Sequence, residues 1–126
     1  MKSDQLQIKK KILEYLKIED DLYLKNDCPL YFVVYKRISI RNNTTFEEEI
    51  LRANDGYRTA VYLYDIMMML EKEYNIYIAD VEVPNNIDDL CDLVCQKIKD
   101  PKSKIKDLEE HDKIHASIIK LIEDDK

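Results

Sequence analysis

Apolar residues recur with a helical period through the middle of the chain, over residues 59–74. One helix face carries apolar side chains at the i, i+4, i+7 and i+11 positions, namely Leu63, Met67, Leu70 and Tyr74. A second apolar row lies beside the first, which predicts a central helix that contacts several neighbouring elements. Asn75 is suited to end this helix, because asparagine tolerates the left-handed backbone conformation.

The same period predicts three further helices, over about residues 4–17, 87–98 and 103–124, of which the second is short. Asn85 or Asn86 is expected to cap the second of them, and Pro101 stops it because proline clashes with a continuing helix. A shorter helix is expected directly after residue 45, and Thr44 or Thr45 is expected to cap it. Charged residues separate the apolar ones on every helix, so the lysine run at residues 9–11 is interpreted as a solvated face.

Residues 30–40 are harder to assign. They are rich in aromatic and β-branched side chains, a composition that slightly favours an extended strand. A lone strand cannot satisfy its backbone hydrogen bonds, and no second strand is evident in the sequence. A buried helix therefore stays open as the alternative.

Length and charge exclude several classes of function. The chain has 126 residues and a formal net charge of -6, which suits one domain that is not primarily a nucleic-acid binder. An acidic surface fits a basic patch on a partner protein. No apolar run approaches the ~20 residues that cross a bilayer, and no signal peptide precedes the first helix. These features predict a cytoplasmic protein with no membrane association.

The residues offer little sign of an enzyme or of a bound cofactor. With one glycine in the chain, neither a phosphate-binding loop nor a nucleophile elbow can be built. Cys91 and Cys95 lie one helical turn apart on an apolar face, which favours burial in the core over metal binding. His111 and His115 share the same spacing and are weak candidates for a metal site. A position at the edge of a packed face or at a partner interface is the better interpretation.

Two segments of the chain resemble a known family. Residues 68–78 (MMLEKEYNIYI), a short loop and then residues 85–94 (NNIDDLCDLV) look like the second half of an acyl carrier protein. Residues 4–26 resemble, more weakly, the first helix of that family and the acidic loop after it. The resemblance implies an all-α bundle over residues 1–100, with an inserted segment at about residues 30–56. Residues 101–126 would then form an additional C-terminal helical extension.

The chain departs from the family at its most important position. Acyl carrier proteins attach phosphopantetheine to the serine of an Asp-Ser-Leu triplet at the start of their second helix. That triplet falls on Thr59, Ala60 and Val61 here. Thr59, or alternatively Asp55, is expected to cap the helix, and Val61 keeps an apolar contact. Ala60 has no hydroxyl group, so we expect a vacant carrier site and no prosthetic group.

The resemblance implies a non-catalytic adaptor that serves a biosynthetic or peptide-modifying enzyme, as acyl-carrier-related proteins do in bacterial peptide maturation clusters. Five residues in and beside the second helix are expected to face that partner: Tyr57, Tyr62, Asp65, Glu71 and Glu73. Two alternatives stay open, a working carrier with a non-standard attachment site and a metal-binding or regulatory helical protein. Self-association into a homodimer also stays open.

Overall fold

The computed structural model describes residues 3–53, 56–78 and 81–124, and this part of the chain is helical, without a β-strand. Its seven α-helices are α1 (Ser3–Tyr15), α2 (Asp21–Lys25), α3 (Leu30–Asn42), α4 (Phe46–Leu51), α5 (Gly56–Tyr74), α6 (Ile87–Ile98) and α7 (Leu108–Asp124). A 3-10 turn at Pro101–Ser103 precedes α7. The predicted all-α class is therefore confirmed. The cap expected at Asp55 falls outside the described residues.

The helices share one apolar core. α1 packs on α2 and α6, α3 packs on α4 and α5, and α5 also packs on α7. The fully buried core residues come from several of these helices and include Ile12, Val33, Ile38, Ile66, Leu70, Ile87 and Val94. As its two apolar rows predicted, α5 contacts more than one neighbour, since α3 and α7 both lie against it.

Residues 30–40 form most of α3, so the slight preference for a strand was wrong. Val33, Val34 and Ile38 are completely buried, and Phe32 meets Phe46 of α4 edge to face at 5.5 Å between ring centroids. These contacts outweigh the β propensity of the segment, which is a weak preference that tertiary packing overrides. A helix also satisfies its own backbone where no second strand is at hand.

The first turns of α3 and α6 cap one another. Neither helix is capped by the side chain of its own N-cap residue, since Pro29 precedes α3 and the side chain of Asn86 makes no capping bond at α6. Instead, the Leu30 amide donates to the Asn85 carbonyl at 2.7 Å, and the Ile87 amide donates to the Cys28 carbonyl at 3.0 Å. Two otherwise unpaired helix N–H groups are satisfied in this way.

Several helix boundaries match their sequence signals and others do not. Thr45 forms the predicted capping box with Glu48, and Asn75 has the left-handed φ of 53° that ends α5. However, α5 begins at Gly56, before Thr59. The last helix begins at Leu108, well after the predicted start at residue 103.

The lysine run of α1 is not uniformly solvated. Lys9 is 1% exposed, and its ammonium group donates to the Asn26 carbonyl at 2.8 Å. It also forms an ion pair with Asp88 of α6 at 3.1 Å. The interpretation of Lys9 as solvated was therefore wrong, because the lysine stem crosses the interface to reach polar partners beyond it.

Among the described helices, none combines the length and the apolar content that a membrane span would need.

Candidate functional site

The interface between α5 and α7 contains two pairs of acidic and histidine side chains. His115 of α7 lies with Nε2 2.8 Å from Oδ1 of Asp65 on α5. His111, one turn earlier on α7, lies with Nε2 3.1 Å from Oε1 of Glu71. Because the later acid pairs with the earlier histidine, the two helices run antiparallel. All four residues are buried.

Asp65 connects three helices. Its Oδ1 accepts the Tyr15 hydroxyl of α1 at 2.6 Å as well as the His115 ring N–H. A carboxylate can only accept, which fixes the proton of the His115 contact on Nε2. Burial raises the pKa of the Tyr15 hydroxyl above its ordinary value, and the hydrogen bond and negative charge of Asp65 raise it further. Tyr15 therefore stays a donor to Asp65.

Glu71 connects α7 to the linker that follows α5. Its Oε1 faces His111, and its Oε2 accepts the Ile78 backbone amide at 2.7 Å. The residue is 1% exposed, and a buried carboxylate needs such partners to offset its desolvation. On the other side of the ring, His111 Nδ1 is buried and has no hydrogen-bond partner in the part of the chain that the structure describes.

These pairs do not bring the histidines together at one ion. The His111 and His115 ring centroids are 6.5 Å apart, and each Nε2 faces a different carboxylate. A shared zinc ion would need both nitrogens at about 2.0–2.1 Å. No group of three His, Cys, Asp or Glu side chains within the described ranges is placed to hold a metal.

The five residues expected to face a partner are divided between surface and interior. Tyr57 is 64% exposed, and Glu73 is exposed beside Lys11, 3.2 Å from its ammonium group. Tyr62, Asp65 and Glu71 are buried. The Tyr62 hydroxyl accepts a hydrogen bond from Arg41 of α3 at 3.1 Å. The expectation of an exposed acidic face is therefore corrected for Asp65 and Glu71, whose charges are directed to the histidines of α7.

Thr59, Ala60 and Val61, the residues where a vacant carrier site is expected, lie in the first turns of α5 and are half-buried. Thr59 sits inside the helix, so it does not have the capping position expected of it. Its hydroxyl lies 3.0 Å from the hydroxyl of Tyr35 on α3. The helix α3 thus packs directly against the start of α5.

None of the three cysteines, all within the described ranges, forms a disulfide, and the most buried of them is Cys91. Burial raises the pKa of Cys91 to about 12, and nearby Asp88 acts in the same direction. The predicted burial of Cys91 is confirmed. Cys95, one turn later, is only half-buried.

A groove of about 710 Å³ lies between α5 and α7 and is bounded at one end by residues 102–107. We call it the α5–α7 groove. Its apolar lining includes Tyr64, Met67, Met68, Tyr77, Ile114 and Ile118. The tyrosine excess around α5 and the alternating lysines at residues 102–106 were its only signals in the sequence. Neither signal shows that α7 folds back along α5, which is why the groove was not predicted.

No family model, curated protein or solved structure matches the chain. The geometry of its own residues therefore carries the functional conclusions below.

Proposed function

We propose that this chain is a non-catalytic adaptor on an acyl-carrier-like helical bundle, without a prosthetic group. Its partner is a biosynthetic or peptide-modifying enzyme in the cytoplasm. The observation that carries the proposal is the chemistry at the start of α5. Ala60 replaces the serine of the attachment triplet, and the Thr59 hydroxyl beside it is engaged by Tyr35. The serines of the chain, Ser3, Ser39, Ser103 and Ser117, all lie elsewhere.

The order of elements supports the acyl-carrier likeness. The segments that resemble the family become α1, then α5 with its linker, then α6, and α1 packs on α6. The helices α3 and α4 occupy the inserted segment, and α7 is the addition at the C-terminal end. The segments that resemble the family therefore follow one another in the expected order, while α3 of the inserted segment contributes to the same core.

The buried acid–histidine pairs support a binding role over a catalytic one. General acid–base catalysis needs a titratable group within reach of a substrate. Asp65 and Glu71 instead face histidines and backbone or tyrosine donors inside the bundle. Tyr57 and Glu73, near the two ends of α5, are accessible for contact with a partner.

The test of the vacant site is a mass measurement. The wild-type chain is incubated with coenzyme A and a broad-specificity phosphopantetheinyl transferase, and the intact protein is weighed. The expected result is no gain in mass. The triple variant Thr59→Asp, Ala60→Ser, Val61→Leu restores the attachment triplet and is expected to gain one phosphopantetheine. A gain by the wild type would overturn the proposal, and no gain by a folded triple variant would overturn the placement of the triplet.

The test of the adaptor role is reconstitution with the partner enzyme captured from the native host. The purified enzyme is expected to form a stoichiometric complex with the chain and to work faster in its presence. Tyr57→Ala and Glu73→Lys are expected to weaken the complex. If the chain alone converts the enzyme's substrate, or leaves its rate unchanged, the adaptor role is excluded.

A further inference from the structure

A polar pocket of about 340 Å³ lies at the turn that joins α3 to α4. We call it the α3–α4 pocket, and four residues line it: Arg41, Asn42, Thr44 and Arg52. Each of these side chains carries a hydrogen-bond donor, and the two guanidinium groups are positively charged. Among the described residues that line the pocket there is no carboxylate. The lining is therefore suited to an anion that accepts several hydrogen bonds.

The backbone holds this turn in a fixed conformation. α3 is followed by Asn43, which has a left-handed φ of 55° and donates its amide to the Ile40 and Ser39 carbonyls. The Thr44 amide also donates to the Ser39 carbonyl, at 2.9 Å. Thr45 then begins α4 with its capping box. Because the backbone is bonded on both sides of Thr44, that side chain has a defined place in the pocket.

Contacts inside the chain orient the two arginines. One guanidinium nitrogen of Arg41 donates to the Tyr62 hydroxyl at 3.1 Å. One nitrogen of Arg52 lies 3.7 Å from the carboxylate of Glu49, which is 0% exposed and does not line the pocket. A guanidinium group has five N–H donors in a planar fork. These two contacts therefore orient the guanidinium groups without using all of their donors.

Thr44 supplies a donor that the described chain does not use. Its hydroxyl oxygen has no hydrogen-bond partner in residues 3–53, 56–78 or 81–124. A hydroxyl group that is away from water and lacks a partner is unfavourable, and such groups are rare in folded proteins. An anion oxygen seated in the pocket would accept the proton of this hydroxyl.

We propose that the α3–α4 pocket binds a phosphate group, either free or carried by a small ester. The guanidinium groups would meet the dianion, and the Thr44 hydroxyl and the Asn42 amide would bond to its other oxygens. A phosphate offers three acceptor oxygens and close to two negative charges, which four donor side chains match better than the two oxygens of a carboxylate. Side chains would hold the phosphate here, in place of the backbone of a glycine-rich loop.

The size of the pocket leaves room for a group attached to the phosphate. Its volume of about 340 Å³ is roughly ten times that of one water molecule. The pocket also opens to solvent, so a small ester can enter with its phosphate first. This site goes beyond the proposed adaptor function and does not depend on it.

The first experiment titrates the full chain with inorganic phosphate and with glycerol 3-phosphate at constant ionic strength, near pH ~7. Two-dimensional NMR follows the Thr44 amide and the arginine side-chain N–H signals. Both ligands are expected to cause saturable shifts, with a Kd on the order of 1 mM, and acetate is expected to bind about tenfold more weakly. Tighter binding of the ester would assign the site to an ester, and equal binding would assign it to free phosphate. Absence of saturable shifts, or equally tight binding of acetate, would overturn the proposal.

Variants of the lining locate the binding. Thr44→Val keeps the shape of the side chain and is expected to weaken phosphate binding about tenfold. The same change should not lower the stability of the ligand-free chain, because the hydroxyl has no partner in its described part. Arg52→Lys keeps the charge but loses the fork, so binding should weaken about fivefold. Lys120→Gln removes an exposed cation of α7 outside the pocket and should change nothing. Equal effects of the pocket variants and this control would overturn the proposal.

Glu49→Gln is expected to act in the opposite direction. It removes the negative charge that lies 3.7 Å from Arg52, so phosphate binding should strengthen about threefold or more. Glu47→Gln removes an exposed charge from the same short helix and should have a smaller effect. Unchanged or weaker binding by Glu49→Gln would overturn the proposal, with folding of every variant checked by circular dichroism.

Discussion

Asp65 of α5 and His115 of α7 meet at 2.8 Å in the interior of the bundle, on the same carboxylate oxygen that accepts the Tyr15 hydroxyl at 2.6 Å. One oxygen atom thereby joins α1, α5 and α7. Removing it leaves the half-buried Tyr15 hydroxyl and the buried His115 ring without this acceptor, and an unsatisfied buried group costs its full desolvation penalty.

We expect Asp65→Ala to lower the free energy of unfolding by about 3–5 kcal/mol, the typical effect of removing one partner from a buried charged contact. The control is Asp112→Ala, which removes the ion pair between Asp112 and Lys72 at 3.0 Å on the surface of the same interface. That variant should cost less than about 1 kcal/mol. Urea unfolding followed by circular dichroism measures both, and comparable small losses would contradict the structural role of Asp65.

Glu71 is expected to protect the Ile78 amide, in the linker after α5, from hydrogen exchange. Glu71→Ala removes the acceptor of the Ile78 amide but keeps the backbone carbonyl that accepts the Ile76 amide. Native-state hydrogen exchange should therefore accelerate at Ile78 on the order of tenfold more than at Ile76. The control Glu73→Ala changes a surface residue two positions later and should leave the exchange rates of both amides unchanged. Equal acceleration at both amides would show that the side chain acts only through global stability.

The Tyr15 hydroxyl makes stability depend on pH in the alkaline range. Its native pKa lies above its ordinary value, whereas the unfolded chain releases the proton near pH ~10. The stabilisation from the Tyr15 proton is therefore complete below that pH. It is lost as the pH rises towards the native pKa, because unfolding then releases a proton. Urea midpoints measured from pH ~8 to ~11 should fall more steeply for wild type than for Tyr15→Phe. Parallel curves would contradict the raised pKa.

Cys91 should resist alkylation in the folded chain. Its pKa of about 12 leaves far less thiolate near neutral pH than an ordinary cysteine, and thiolate is the reactive form. Iodoacetamide at pH ~8 should modify Cys95 before Cys91, and the preference should disappear in urea, where the thiols have ordinary pKa values near ~8.5. Peptide mass spectrometry after timed quenching measures the two rates. Fast native labelling of Cys91 would contradict its burial.

Patterns within a few residues of the sequence predicted the central helix and several helix ends. The apolar rows of α5, the left-handed Asn75 and the capping box at Thr45 all depend on residues within a few positions of one another. The assignment of α3 failed because its β-branched residues are stabilised as a helix by contacts with α4 and α5. Contacts between separate helices leave no periodic trace within the segment itself.

The partners of the charged residues in the candidate site could not be predicted from local sequence either. Asp65 and Glu71 were expected at the surface because the resemblance to acyl carrier proteins implies an acidic second helix that faces a partner. Their partners are histidines on α7, forty or more positions later, at separations of 50 and 40 residues. The spacing of His111 and His115 was visible, but only the antiparallel return of α7 shows which acids they face.

The paired backbone bonds that join the loops before α3 and α6 have a consequence for how the chain acquires its shape. Leu30 and Asn85 are distant in sequence, so neither helix gains its capped first turn until a large loop has closed. We expect the two helix starts to order together late in folding, and to loosen together when either loop is disturbed. The segment that contains α3 and α4 would then form a single cooperative unit with α6, and it could not be removed without cost to the stability of α6.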